Sequence, residues 1–230
     1  MLSFLNPDTL ARTYRDPIAW LILTVDLFPI LAVLTMGWGA TPLVFLYWLE
    51  NLIIGAVTLA RMTATSVKDG PSGLVIMAFL GPFFFVHYGM FCFVHGVFVS
   101  VFANLSGGIE GGIGGAGFPT PFSLIDQALT SGANMTLFVI AIIALQVFLF
   151  VQDFLWRGQY KRSEVQTEMM APYGRIIVLH IGLFAGAFAM VALGEPMLGI
   201  LALIILRALC GIIMSVHRRT QLDAALQSKS

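Results

Sequence analysis

Residues 74–102 read LVIMAFLGPFFFVHYGMFCFVHGVFVSVF, an apolar stretch that contains no Asp, Glu, Lys or Arg. As one α-helix this stretch would be about 43 Å long, which exceeds the roughly 30 Å hydrocarbon core of a bilayer. The rest of the chain has a similar character, because 58% of its 230 residues are hydrophobic and only 10% are charged. A soluble domain of this size cannot bury so much apolar surface. We therefore predict an all-α protein that is embedded in a lipid bilayer.

Five further apolar runs complete the predicted membrane domain. None has the alternating pattern of barrel strands, so each is predicted to cross the membrane as a helix. The six predicted spans are residues 18–36, 41–62, 74–102, 134–155, 175–193 and 196–215. Together they form a polytopic protein with a single integral-membrane domain, residues 1–230.

The distribution of Lys and Arg predicts the orientation of these spans. Eleven of the twelve lie in the N-terminal segment, the second loop, the fourth loop and the C-terminal tail, whereas the other three loops contain none. By the positive-inside rule, both termini are cytoplasmic. The pattern favours a bacterial inner membrane. With no basic face and a net charge of zero, nucleic-acid binding is disfavoured.

Two of the predicted loops have an unusual composition. The third is a Gly-rich outer loop, residues 103–133, whose centre reads GGIEGGIGGAG at 107–117. It is either a flexible linker or a lid over an external opening. The fourth loop mixes cationic and anionic residues and is predicted to be a solvated cytoplasmic helix or turn.

Several ionisable residues lie deep inside the predicted spans, where a charge near the bilayer centre costs roughly 2.5–3.5 kcal/mol. They are Asp26, Glu50, His87, His95, His180 and Arg207, and the polar Asn51 follows Glu50. From the helical rise, Asp26, Glu50 and Arg207 lie about 14–16 Å from the cytoplasmic ends of their spans. This common depth predicts an ion pair of Arg207 with Glu50 or Asp26, which serves either helix packing or an ion path.

The histidines and Glu50 predict a metal site. His87 and His95 are eight residues apart, which on a regular helix separates them by about 12 Å and about 80°. They cannot share one metal, so a site must combine helices. The candidate ligands are Glu50 with His95 or His87, and His180 as a further ligand, a set that zinc or iron accepts. Cys92, three residues before His95 on the same face, offers with it a softer pair for copper or zinc.

The start of the third span remains open between Leu74 and Pro82, because proline is favoured in the first turn of a helix. A start at Pro82 places His87 about 8 Å deep, which is also the depth of His180 in span five. Both histidines lie in the local pattern HxGxF, which is either a partial internal repeat or a coincidence. Only in this register do the two imidazoles suit one haem iron, so haem is the less favoured cofactor.

Two motifs resemble a bacterial multi-pass membrane family of unknown function. One is YWLEN at 47–51, with Gly55 four residues later, and the other is HYGMFCFVHGVFV at 87–99. In general form they are YWxEN and HYGxFxxxHG, and the resemblance is best over spans one to three. It implies no activity, but it indicates which residues to test. These are Glu50, Asn51, His87 and His95.

Three functions are compatible with these residues. The leading hypothesis is a divalent metal held within the membrane by imidazole and carboxylate groups, with redox or hydrolytic chemistry. The second is a small proton- or ion-coupled transporter that uses the same residues as a relay. The third is a non-catalytic subunit or assembly factor, in a membrane complex or homo-oligomer, whose polar residues only specify helix contacts. The sequence contains no GxSxG, HExxH or phosphate-binding motif, which disfavours those enzyme classes.

Overall fold

The computed structural model describes residues 7–105 and 119–174, together with isolated positions between 176 and 220. Its helices are α1 (Pro7–Thr13), α2 (Pro17–Met36), α3 (Ala40–Lys68), α4 (Gly70–Leu105), α5 (Pro121–Thr130), α6 (Met135–Leu149) and α7 (Val165–Met170). A π-helix, Phe150–Trp156, continues α6, and a short 3-10 turn, Gln159–Lys161, follows it. The described residues contain no strand, so the all-α prediction is confirmed for this part of the chain.

Within the described residues, four helices are long and apolar enough to cross a membrane, which indicates a membrane protein. They are Pro17–Met36, Ala40–Lys68, Gly70–Val101 and Met135–Trp156, and they match the first four predicted spans. The predicted spans 175–193 and 196–215 lie outside the described residues, apart from isolated positions. The six-span count and the orientation of the termini therefore stay predictions.

Pro82 does not interrupt α4, which runs without a break from Gly70 to Leu105. The helix thus begins before both candidate starts, and the residue at which the third span enters the membrane stays a prediction. Membrane helices tolerate an internal proline because local adjustments and neighbouring groups satisfy the freed carbonyl. With 36 residues α4 is about 54 Å long, so it must tilt in the bilayer or extend beyond it.

The central helix of the described bundle is α3, in which every residue from 41 to 50 is buried. It packs against α4, α5, α6 and α7. Only Asp69 separates the end of α3 from the start of α4, and Gly70 turns the chain with a φ of +66°. That left-handed conformation favours glycine. The two longest helices are therefore antiparallel neighbours along their length.

The outer loop 103–133 is not a featureless linker over all of its length. Its residues 121–130 form α5, which begins with a capping box between Thr120 and Ser123 and has Pro121 in its first turn. Leu124 and Ala128, one turn apart, are buried in the main core. Residues 121–130 are therefore helical and packed, whereas the choice between a flexible linker and a lid for the glycine-rich centre stays open.

The fourth loop is likewise more than a solvated connection. Its helix α7 packs against α3 and α4, with Val165 and Glu168 buried. Lys68 Nζ donates to the carbonyl of Ser163 at 2.9 Å, which ties the α3–α4 turn to this loop. We call this end of the bundle, where Arg61 and Lys68 meet residues 157–168, the cationic end.

Candidate functional site

A tryptophan on α3 and a glycine on α4 bring the two helices into close contact. A Cβ added at Gly96 would lie 2.7 Å from Trp48 Cζ2, closer than real Cβ contacts allow. The indole Nε1 of Trp48 donates a 2.7 Å hydrogen bond to the carbonyl of Cys92, one turn before Gly96. This bond satisfies the polar end of a buried ring. Gly96 is therefore the residue that allows Trp48 to reach the α4 backbone.

A second contact of the same kind has the aromatic residue on α4 and the glycine on α3. A Cβ added at Gly55 on α3 would lie 2.6 Å from Tyr88 Cε1 on α4. The Tyr88 hydroxyl donates a 3.1 Å hydrogen bond to the carbonyl of Asn51, one turn before Gly55. We call these pairs, Trp48 with Gly96 and Tyr88 with Gly55, the two aromatic–glycine contacts. Together they set the separation and register of α3 and α4.

A cavity of about 10 Å³ lies beside these contacts. It is lined by Trp48, Asn51, Cys92, His95 and Ile176. A cavity needs roughly 10–15 Å³ to hold one water molecule. The space is therefore suited to a single water or a single bare ion, and too small for an organic substrate or a porphyrin.

A hydrogen bond to the backbone fixes which ring nitrogen of His95 carries the proton. The side chain is buried, and Nδ1 lies 2.7 Å from the carbonyl of Phe91. A carbonyl oxygen only accepts, so Nδ1 carries the proton in this hydrogen bond. In the neutral ring Nε2 then keeps its lone pair. Orientation of an imidazole through the N–H of its other nitrogen is the usual support of a metal-binding histidine.

Asn51 adds a second acceptor at the cavity. It is 6% exposed, and its side-chain Oδ1 has no hydrogen-bond partner among the described residues. Leaving a buried acceptor unsatisfied costs about 1–3 kcal/mol. A hydrogen-bond donor or a cation in the cavity would remove that cost. The chemistry of the lining therefore fits a small positive or proton-donating ligand.

Other predicted ligands do not line this cavity. Glu50 is buried in α3, but as the residue before Asn51 its side chain leaves the helix about 100° away from that of Asn51. His87 is half-buried among aromatic rings, with centroid distances of 5.2 Å to Phe83 and 5.9 Å to Tyr173. The described structure thus separates His87 from His95, as the helical geometry of α4 requires.

The predicted metal site, Glu50 with His95 or His87 and with His180 as a further ligand, stays a prediction. Within the described part of the chain, no group of three or more His, Cys, Asp or Glu residues is placed to hold a metal ion. His180 and Arg207 lie outside the described residues, as does the side chain of Asp26. The Arg207 ion pair and the pairing of His87 with His180 therefore also stay predictions.

Sequence analysis missed several residues that the structure makes prominent. Asp153 falls inside the predicted fourth span, is buried, and pairs with Arg157 at 3.2 Å. The spacing of four residues was a usable signal for that pair. Trp48 and Tyr88 belong to the quoted motifs, but nothing local identifies the glycine that each one covers. To predict that pairing, one must know the register of α3 against α4.

Comparisons with known proteins identify a family for this chain but no function. No curated protein and no solved structure matches the chain. A family model described as a family of unknown function matches residues 8–228. The expected resemblance to such a family is therefore confirmed, whereas its motifs and a bacterial origin stay predictions. Since the match spans nearly the whole chain, the protein belongs to this family of unknown function, DUF6498.

Proposed function

We propose that this protein is a membrane protein that binds a transition-metal ion in the α3–α4 cavity. The observation that carries the proposal is the lining itself: a space for one ion, bordered by His95, Cys92 and the unsatisfied Oδ1 of Asn51. All three side chains are buried. His95 Nε2 is the proposed principal ligand, because the Phe91 carbonyl already orients the ring through Nδ1.

The donor atoms indicate the class of metal. An imidazole nitrogen and a thiolate sulfur favour copper or zinc over magnesium or calcium, which prefer oxygen ligands. Two such donors and one amide oxygen are a partial coordination sphere, since structural zinc sites have four ligands. His180 remains the candidate for completing it. Bound there, the metal would supply Lewis-acid or redox chemistry, while the chain orients His95 and excludes bulk water.

Element analysis tests this proposal. Protein is purified in mild detergent without chelator, or loaded with one equivalent of copper or zinc and desalted. We expect about one metal per chain in the wild type, its loss in His95→Ala, and its retention in His87→Ala, because His87 faces aromatic rings and not the cavity. Loss of a side chain that only orients a metal ligand lowers metal affinity about 10–100-fold, so loss of the ligand itself should have a larger effect.

Two results would contradict the metal proposal. One is a folded wild-type protein that stays metal-free after loading. The other is equal metal content in His95→Ala and the wild type. A Soret band in the absorption spectrum of the same sample would instead support the haem alternative.

A proton- or ion-coupled transporter is the second candidate, and the burial of Glu50 favours it. Glu50 is 3% exposed and lies in a helix that is long and apolar enough to span the membrane. Buried carboxyl groups in spans commonly serve proton relays. Liposomes that contain the protein, a pH-sensitive dye, and potassium with valinomycin are expected to lose a pH gradient faster than liposomes with Glu50→Gln. Equal rates would count against transport and leave the assembly-subunit hypothesis.

A further inference from the structure

An ion pair at the cationic end joins α7 to α3. Arg61 Nε lies 2.6 Å from Glu168 Oε2, and the Glu168 side chain is only 7% exposed. The guanidinium carbon of Arg61 also lies 4.3 Å from the centroid of the buried Phe154 ring. The pair therefore links α3, α7 and the π-helix. Loss of one partner from a largely buried pair is destabilising, because the remaining charge is uncompensated.

The chain that follows α7 contributes one residue to the lining of the cavity. Val165, at the start of α7, and Ile176 belong to the same hydrophobic cluster as Cys92. Ile176 lines the cavity directly. Between them, Tyr173 packs edge-on against Tyr88 at a centroid distance of 6.0 Å. We call Val165, Tyr173 and Ile176 the α7 wall.

Among the described residues, Ile176 is the one lining residue outside α3 and α4, so we expect the cavity to open most easily at the α7 wall. The other lining residues belong to α3 and α4, two long helices that the aromatic–glycine contacts hold together. In contrast, α7 has six residues and no side-chain hydrogen bond at its N-cap. Helices this short are unstable without tertiary contacts. Local opening of a protein draws on such weakly held elements.

We propose that a small cation reaches the α3–α4 cavity from the cationic end when the α7 wall moves away, and that the Arg61–Glu168 ion pair controls this opening. The inference rests on the proposed metal site, which makes the cavity the destination. It assigns a regulatory role to two residues that do not contact the cavity. By the charge pattern of the loops, the cationic end faces the cytoplasm.

Cys92 can report the opening, because it borders the cavity and packs in the same hydrophobic cluster as the α7 wall. A Cys210→Ser background leaves Cys92 as the only cysteine of the chain. Metal-free protein in detergent with chelator is treated with excess N-ethylmaleimide, and mass spectrometry gives the labelling rate. We expect Glu168→Gln to raise this rate about tenfold, which corresponds to a loss of about 1.4 kcal/mol from the closed state.

Glu164→Gln is the matched control, because it makes the same substitution at an exposed residue of the same segment. It should label at the parental rate. If Glu168→Gln does not elute as a folded species, Arg61→Lys is measured instead. That variant keeps the charge but loses the planar contact with Phe154, and we expect about a threefold increase. Labelling of either test variant at the control rate would overturn the proposal.

The labelling result is independent of the proposed function. The assay contains no metal, so the rate ratio reports only the movement of the α7 wall. A wild type that binds no metal but shows the tenfold ratio would contradict the metal proposal and support the opening of the α7 wall. The opening would then lead to a cavity the size of one water molecule. Metal binding without any change in the labelling rate would contradict only the proposed control of the opening by the ion pair.

Discussion

Gly96→Ala is expected to destabilise the protein by about 2 kcal/mol, whereas Gly89→Ala should stabilise it by up to about 1 kcal/mol. The new methyl group at position 96 would stand 2.7–2.9 Å from three atoms of Trp48, while at position 89 nothing lies within 4 Å. Trp48 cannot move away freely, because its indole N–H is bonded to the carbonyl of Cys92. Both substitutions gain helix propensity, and only one creates a clash.

Thermal unfolding in detergent measures this difference. For a chain of this size, 1 kcal/mol shifts Tm by roughly 2–4 °C, so Gly96→Ala should lower Tm by about 4–8 °C. Gly89→Ala should leave Tm unchanged or raise it. Similar Tm changes for the two variants would show that the contact of Trp48 with Gly96 is not a determinant of the α3–α4 packing.

Trp48→Ala is expected to have the largest effect of any single substitution discussed, a destabilisation of about 3–5 kcal/mol. The ring is 2% exposed and packs in the core of the described bundle. Its removal leaves a void that extends the existing cavity, and it deletes the hydrogen bond to Cys92. Because Trp48 also borders the cavity, the variant should lose bound metal even where it remains folded.

Trp20→Ala is the matched control for this prediction. Trp20 is also a helix tryptophan with a bonded indole N–H, 2.8 Å from the carbonyl of Tyr14, but its side chain is 55% exposed. We expect a change below about 1 kcal/mol there, the usual range for an exposed site. Trp48→Phe, which keeps a ring and loses the donor, should fall between the two. A Trp48→Ala variant as stable as Trp20→Ala would contradict the central role assigned to Trp48.

Much of the candidate site was visible in the sequence as polarity in an apolar background. Asn51 and His95 stood out for this reason, and the spacing of Cys92 from His95 placed both on one face of a helix. The same argument separated His87 from His95, and the continuous helix α4 agrees with it. Ile176 could not be predicted as a wall of the site, since an isoleucine in an apolar run carries no local signal.

The sequence was least informative where local signals compete. Pro82 suggested a helix start, but the surrounding apolar run continued the helix through it. The glycines of 107–117 suggested an unstructured loop, whereas Thr120, Pro121 and the pair Leu124 and Ala128 specify a helix a few residues later. In both cases a conspicuous residue type gave less information about the helices than the residues around it.

The sequence by itself determined that the chain is an all-α protein with helices fit to span a membrane, and approximately where the first four of them lie. Partition into a bilayer is a sum over the residues of one continuous segment, so length and hydropathy suffice. The tertiary structure alone decided which side chains meet: Trp48 on Gly96, Tyr88 on Gly55, and Arg61 on Glu168 across the cationic end. Those contacts depend on the register and rotation of one helix against another, and no property of a single segment specifies either.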